Sequence, residues 1–112
     1  MLPQHLRLRK SADFASVIKQ GRKVLRPTLI LYARSSEHAR FGVIVGKAIG
    51  GAVERNRVKR RLRHGAYSLM QYSQPMDVVV RALPGGAATT HAGQMAQDLA
   101  SAWTQAAERV AP

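Results

Sequence analysis

Apolar residues recur along the chain with two different periods. Phe14, Val17 and Ile18 fall at i, i+3 and i+4 after Ser11-Ala12-Asp13, so a helix is expected there. Ser11 is its candidate cap, Asp13 lies in its first turn and Gly21 is its expected end. Thr28 to Ala33 and Arg40 to Gly46 read as strands, joined by a polar connection over Ser35 to Ala39. Val24 and Leu25 can add a short strand whose ladder Pro27 limits. A second helix is expected from about Val53 to Gln71, followed by a turn through Pro75. Asp77 to Ala82 is apolar enough for a central strand. Leu83 to Ala88 reads as a loop. A last helix from Thr90 to about Val110 carries Met95, Leu99, Ala102, Trp103, Ala106 and Val110 on one stripe.

Helix, two or three strands, helix, strand, helix is the order of an α/β sandwich, one sheet with helices packed on it. The 112 residues suit one domain, residues 1–112, with 1–6 and 111–112 expected as flexible ends. An apolar fraction of 46% is that of a globular chain. The chain has no cysteine, which excludes disulfides and thiolate chemistry. No apolar run reaches the roughly 18–20 residues of a membrane span, and Met1 to Lys10 lacks a signal-type apolar stretch. A cytoplasmic protein without membrane attachment is the expectation.

Charge changes the picture most. The net charge is +12, and it is segregated: residues 1–63 hold sixteen basic and three acidic groups, the remainder two and three. A field of one sign over half a small protein attracts a polyanion, and nucleic acid is the leading candidate. The centre of this charge is Arg55 to Arg63, nine residues of which six are basic. At about 100° per residue, Val58, Leu62, Ala66 and Leu69 form a packed stripe. Asn56, Lys59, Arg60, Arg63 and Tyr67 project from a band beside it, and Arg57, Arg61 and His64 from the other flank. A solvated face normally mixes signs. Here Lys59/Arg63 and Arg57/Arg61 repel at i, i+4, at about 0.2–0.5 kcal/mol per pair. Phosphate contact accounts for that arrangement, since a guanidinium fork matches two phosphate oxygens. Asn56 can read a base edge or sugar hydroxyl, or hold the backbone of the turn.

Gly46-Lys47-Ala48-Ile49-Gly50-Gly51 joins a strand to this helix. It fails the Walker A spacing and lacks the required Ser/Thr. It is either a turn or, with Arg55, an anion site at a helix start. The acids Asp13, Glu37, Glu54, Asp77, Asp98 and Glu108 are scattered, and His5, His38, His64 and His91 have no metal-ligand spacing. No serine has a nucleophile-elbow context. The chain reads as a binder without a catalytic centre of its own. Phe14 and Tyr32 fill the core by default; beside a groove they can stack unpaired bases.

Arg7-Leu-Arg-Lys-Ser-Ala-Asp-Phe14, the strand ending Leu31-Tyr32, and above all Gly50-Gly-Ala-Val-Glu-Arg-Asn-Arg-Val-Lys-Arg-Arg-Leu-Arg63 resemble the bacterial ribonuclease P protein component. In that family R-N-x-x-K-R-x-x-R follows a Gly-x-Ala-Val stretch. The resemblance implies an α+β sandwich of order αβββαβα with a left-handed β-α-β crossover. It implies a protein subunit that assists a catalytic RNA in magnesium-dependent removal of the 5′ leader from precursor tRNA, with magnesium held mainly by the RNA. Expected partners are ribonuclease P RNA and precursor tRNA, with one protein copy per RNA. Arg55, Asn56, Arg57, Lys59, Arg60, Arg61, Arg63 and Lys47 are the expected RNA contacts, and Phe14, Ile18 and Tyr32 the expected leader cleft. Ile18 stands where the family often has a second aromatic. Gly46, Ala48 and Gly51 replace frequent polar or basic loop residues. The alternatives are a ribosomal-type structural RNA-binding protein and, more weakly, a peripheral membrane protein using the basic helix.

Overall fold

The apolar periods become two helical layers on one sheet. The computed structural model describes residues 2–84 and 92–110. Helix α1 spans Ser11–Gln20, strands β1, β2 and β3 span Arg22–Leu25, Leu29–Ser35 and Arg40–Ile44, and helix α2 spans Ala52–Met70. Strand β4 follows at Met76–Ala82, and helix α3 at Ala92–Arg109. Single 3-10 turns lie at Gln4–Leu6 and Lys47–Ile49. The α+β fold and the element order match the expectation, and the short first strand is present. Differences at the ends are small: β2 runs on to Ser35, β3 stops at Ile44, and Met76 opens β4 instead of closing the turn. Thr90, the expected start of the last helix, lies outside the described residues, as do Met1, Ala111 and Pro112.

The sheet order is β1-β2-β4-β3, with β4 antiparallel to β2 and parallel to β3. Helix α2 therefore links two adjacent parallel strands. Because side chains alternate across a strand, the sheet has two distinct faces. Leu29, Leu31 and Ala33 of β2, Val78, Val80 and Ala82 of β4 and Phe41 of β3 meet the α2 stripe Val58/Leu62/Ala66 and the α3 stripe Met95/Leu99/Ala102/Trp103/Ala106. Trp103 packs on Phe41 with ring centroids 6.1 Å apart and donates its indole N–H to Ser73 Oγ at 3.0 Å. Gly65 lets α2 and α3 approach: a Cβ there would lie 2.9 Å from Leu99 Cδ2. The carboxylate of buried Asp98 accepts from the Thr28 backbone N–H and hydroxyl, pinning α3 to the β1–β2 turn.

On the opposite face α1 buries Val17 against Leu8, Tyr32 and Val79. Ser11 is the first helical residue; Lys10 precedes it in extended conformation with no side-chain cap. Gly21 does end α1, but by close approach and not by a left-handed turn. Its φ is −80°, and a Cβ would lie 2.5 Å from the Val17 carbonyl oxygen.

The N-terminal end expected to be flexible is packed from Leu2 onward. Leu2 is 1% exposed, and the Leu8 N–H donates to the Phe41 carbonyl at 2.9 Å. Burying Leu2 against the main core gives this segment the apolar contact that fixes it, and the segment covers the free edge of β3.

Candidate nucleic-acid interface

Helix α2 is held by three fully buried positions, Val58, Leu62 and Ala66, with Tyr67, Leu69 and Met70 packed beside them, and its first half keeps its other flanks for charge. Arg7, Asn56, Lys59, Arg60, Arg61, Arg63 and His64 line an open groove of 520 Å³, and among the described residues no carboxylate does. Arg7 arrives from the N-terminal segment, with its Nε donating to the Leu2 carbonyl at 3.0 Å. Burial, and then the neighbouring Arg7 cation, push the Arg63 pKa down from its ordinary value. The free protein thus crowds two cations that disfavour each other, and an anion between them relieves that repulsion. Among the described residues the ion pairs are those of Asp77, which sits on β4 and does not line this groove.

The sequence-based assignment is partly regrouped. Asn56, Lys59, Arg60 and Arg63 come together as expected. Arg61 and His64, assigned to a separate flank, line the same groove, while Arg57 is exposed outside it. Arg55 is half-buried in the first turn of α2, and Lys47 is exposed in the preceding 3-10 turn; neither lines the groove. Arg7 was not singled out. It is one cation in a mixed stretch, and the bridge to Phe41 and its bond to the Leu2 carbonyl fix the segment that carries it. In the connecting loop Gly50 has φ +150°, which requires glycine. Gly51 precedes the helix in extended conformation, with no side-chain cap on the first-turn N–H groups.

Phe14, Ile18 and Tyr32 are brought together on the α1 face, with Leu8, Val17, Ile30, Ile44 and Val79. The Phe14 ring lies over Gly42, where a Cβ would come within 2.6 Å of two ring carbons. Tyr32 is 9% exposed and acts as a wall, whereas Phe14 and Ile18 keep half-exposed surface. One end of this cleft is fixed by a network of residues that lie far apart in the chain. Arg34, Asp77 and Arg40 are direct neighbours across β2, β4 and β3. Both guanidinium groups donate to the buried Asp77 carboxylate, at 3.2 and 3.1 Å. The Asp77 hydrogen bond holds the Arg40 pKa above its ordinary value. Arg34 also donates to Ser16 Oγ and Gln20 Oε1, tying α1 to the sheet.

This donor set does not fit a magnesium site of the protein's own. Asp77 is occupied by two arginines, Asp98 by Thr28 and Gln94, and no three His, Asp or Glu side chains gather among the described residues. No helix among the described residues is long and apolar enough to cross a membrane.

The chain is a small α+β domain with a cation-lined helix above one sheet face and an aromatic-edged cleft on the other. The ribonuclease P family profile matches residues 2–107. The ribonuclease P protein component of Streptomyces avermitilis is 46% identical over 91% of this chain and 92% of its own length. That of Rhodococcus erythropolis is 42% identical over 94% and 91%. The solved structure of the Staphylococcus aureus RNase P protein superposes with a TM-score of 0.81 at 28% identity, covering 90% of this chain and 94% of that one. The chain belongs to the ribonuclease P protein component family.

Proposed function

We propose that the chain is the protein subunit of ribonuclease P and acts by binding, with the hydrolytic centre in the RNA subunit. The observation that carries this is the α2 groove: Asn56, Lys59, Arg60 and Arg63, four of the five residues of the R-N-x-x-K-R-x-x-R signature, converge there with Arg7 and with no carboxylate among them. In this reading the groove holds the catalytic RNA through phosphate contacts, with Arg55, Arg57 and Lys47 extending the footprint towards the loop. The cleft of Phe14, Ile18 and Tyr32 takes the single-stranded 5′ leader of precursor tRNA. Phe14 offers the ring face, Ile18 supplies apolar contact in place of a second ring, and Tyr32 forms the wall. Magnesium is held mainly by the RNA in this reading, since no cluster of three His, Asp or Glu side chains is found among the described residues. One protein serves one RNA, in the bacterial cytoplasm.

The test is reconstitution. Purified protein added to ribonuclease P RNA at low magnesium should raise the rate of precursor-tRNA cleavage at the mature 5′ end. A protein that binds this RNA without changing cleavage is a structural RNA-binding module, and the reading fails.

A further inference from the structure

The α1 face of the sheet is built in three cross-strand rows, and the third is the least covered of them. The first row is Arg34, Asp77 and Arg40, tied to α1 through Ser16 and Gln20. The second is Lys23, Tyr32, Val79 and Gly42, with Phe14 seated on Gly42. The third crosses all four strands as Leu25, Ile30, Arg81 and Ile44. It stays open: Leu25 is 63% exposed, Ile30 and Ile44 are half-buried, and Arg81 is exposed. Arg81 is the one exposed position of β4, a strand otherwise buried on both faces. A guanidinium at the centre of a sheet, between two isoleucines, contributes nothing to a core. The Asp77 carboxylate on the same face is already shared by two other arginines.

We infer that this third row extends the leader cleft, and that Arg81 binds a phosphate of the single-stranded RNA as it leaves the Phe14–Tyr32 platform. Arg81 stands two residues beyond Val79, about 7 Å along the strand. That distance is comparable with one step of an extended single strand. The flanking Leu25, Ile30 and Ile44 give the base of that nucleotide an apolar floor, and the guanidinium meets its phosphate. The inference rests on the proposed leader-binding role of the cleft, and its test separates the two.

Holoenzyme is reconstituted with Arg81→Gln, Arg81→Lys or Phe14→Ala protein. Binding is measured for precursor tRNA with a single-nucleotide leader and with a leader long enough to cross the sheet. For Arg81→Gln, affinity for the long leader should fall about fivefold, the upper end for an exposed ion pair. The log–log salt slope should become shallower by about 0.7, one single-strand phosphate contact. Arg81→Lys should retain the slope, which a structural role for the guanidinium would not predict. The short leader does not reach Arg81, so its binding should not follow this change. Equal losses on both leaders would overturn the inference, because Arg81 would then act on the RNA subunit or the fold. If Phe14→Ala weakens long-leader binding and Arg81→Gln does not, Arg81 is no contact while the cleft stands. If neither variant alters leader-length dependence, the cleft reading itself has failed.

Discussion

Replacing Gly42 by alanine separates the shape of the cleft from the stability of the fold. The new Cβ would lie 2.6 Å from Phe14 Cε2 and Cζ and 3.2 Å from Leu8 Cβ. Carbon atoms rest about 3.5–4.0 Å apart, so the ring must retreat by about 1 Å or more. Phe14 is half-exposed and only the far edge of its ring is struck, so it can swing towards solvent without moving the backbone. The overpacking cost should then sit near 1 kcal/mol, the low end of the usual range. Against it stands a gain of about 0.4–1 kcal/mol from the less flexible unfolded chain. The two nearly cancel, and the melting midpoint should move by no more than the roughly 4–8 °C that 1 kcal/mol produces in a domain of this size. The ring proposed to offer its face to the leader is nevertheless displaced. Binding of long-leader precursor tRNA should weaken while a minimal-leader substrate binds as before, measured on reconstituted holoenzyme beside a thermal melt. Unchanged discrimination between leaders would refute the role given to Phe14. A loss of more than about 3 kcal/mol would show that the backbone yields and not the ring.

Arg60→Ala and Arg63→Ala should impair RNA-dependent cleavage with little change in the melt, because both side chains lie off the buried stripe; Leu62→Ala should lose about 2–5 kcal/mol and recover activity under conditions that keep it folded. Early unfolding of the arginine variants with a normal melt for Leu62→Ala would mean the helix faces the other way. Asp77→Ala should cost about 2–4 kcal/mol, less than a fully buried pair because Arg34 and Arg40 keep 24% and 31% exposure, and a denaturation curve unchanged from the parent would remove the network from the account of stability. Binding to ribonuclease P RNA should weaken linearly on a log–log salt plot, by about 0.7–0.9 per phosphate contact, and a flat titration would exclude the groove. RNA-free protein should not cleave precursor tRNA, and magnesium-dependent cleavage that survives nuclease-removal controls would contradict this.

What could be read from the residues was what repeats locally. The Val58/Leu62/Ala66 stripe and the long stripe of α3 follow from the helical period, and both are buried. The apolar run over Val78 to Val80 announced a central strand, and β4 is hydrogen-bonded on both sides. Contacts between residues far apart in the chain left no such signal. Leu2 looks like a loose end until the core it fills exists. Arg7 becomes part of the α2 groove once the N-terminal segment is bridged to Phe41 and packed on the core. Asp77 read as a scattered acid because its partners Arg34 and Arg40 lie on two other strands. The pattern placed Arg61 on a flank of its own because a helical wheel shows directions from one axis, not the neighbouring segment that closes a groove over it.

The position of β4 also decides when the molecule can come into being during synthesis. It is the last strand to leave the ribosome, yet it is the one that joins β2 to β3. Until it emerges, the β1–β2 hairpin and β3 are separate pieces. Helix α2, already made and densely charged, then has no sheet on which to lay its apolar stripe. Pairing β3 with β4 closes a long-range parallel contact, a slow kind of step that leaves strand edges bare while it waits. The interval coincides with the stretch of highest positive charge per residue, which keeps nascent chains apart by mutual repulsion. With sixteen of its eighteen basic groups in residues 1–63, the chain carries that repulsion before β4 is made.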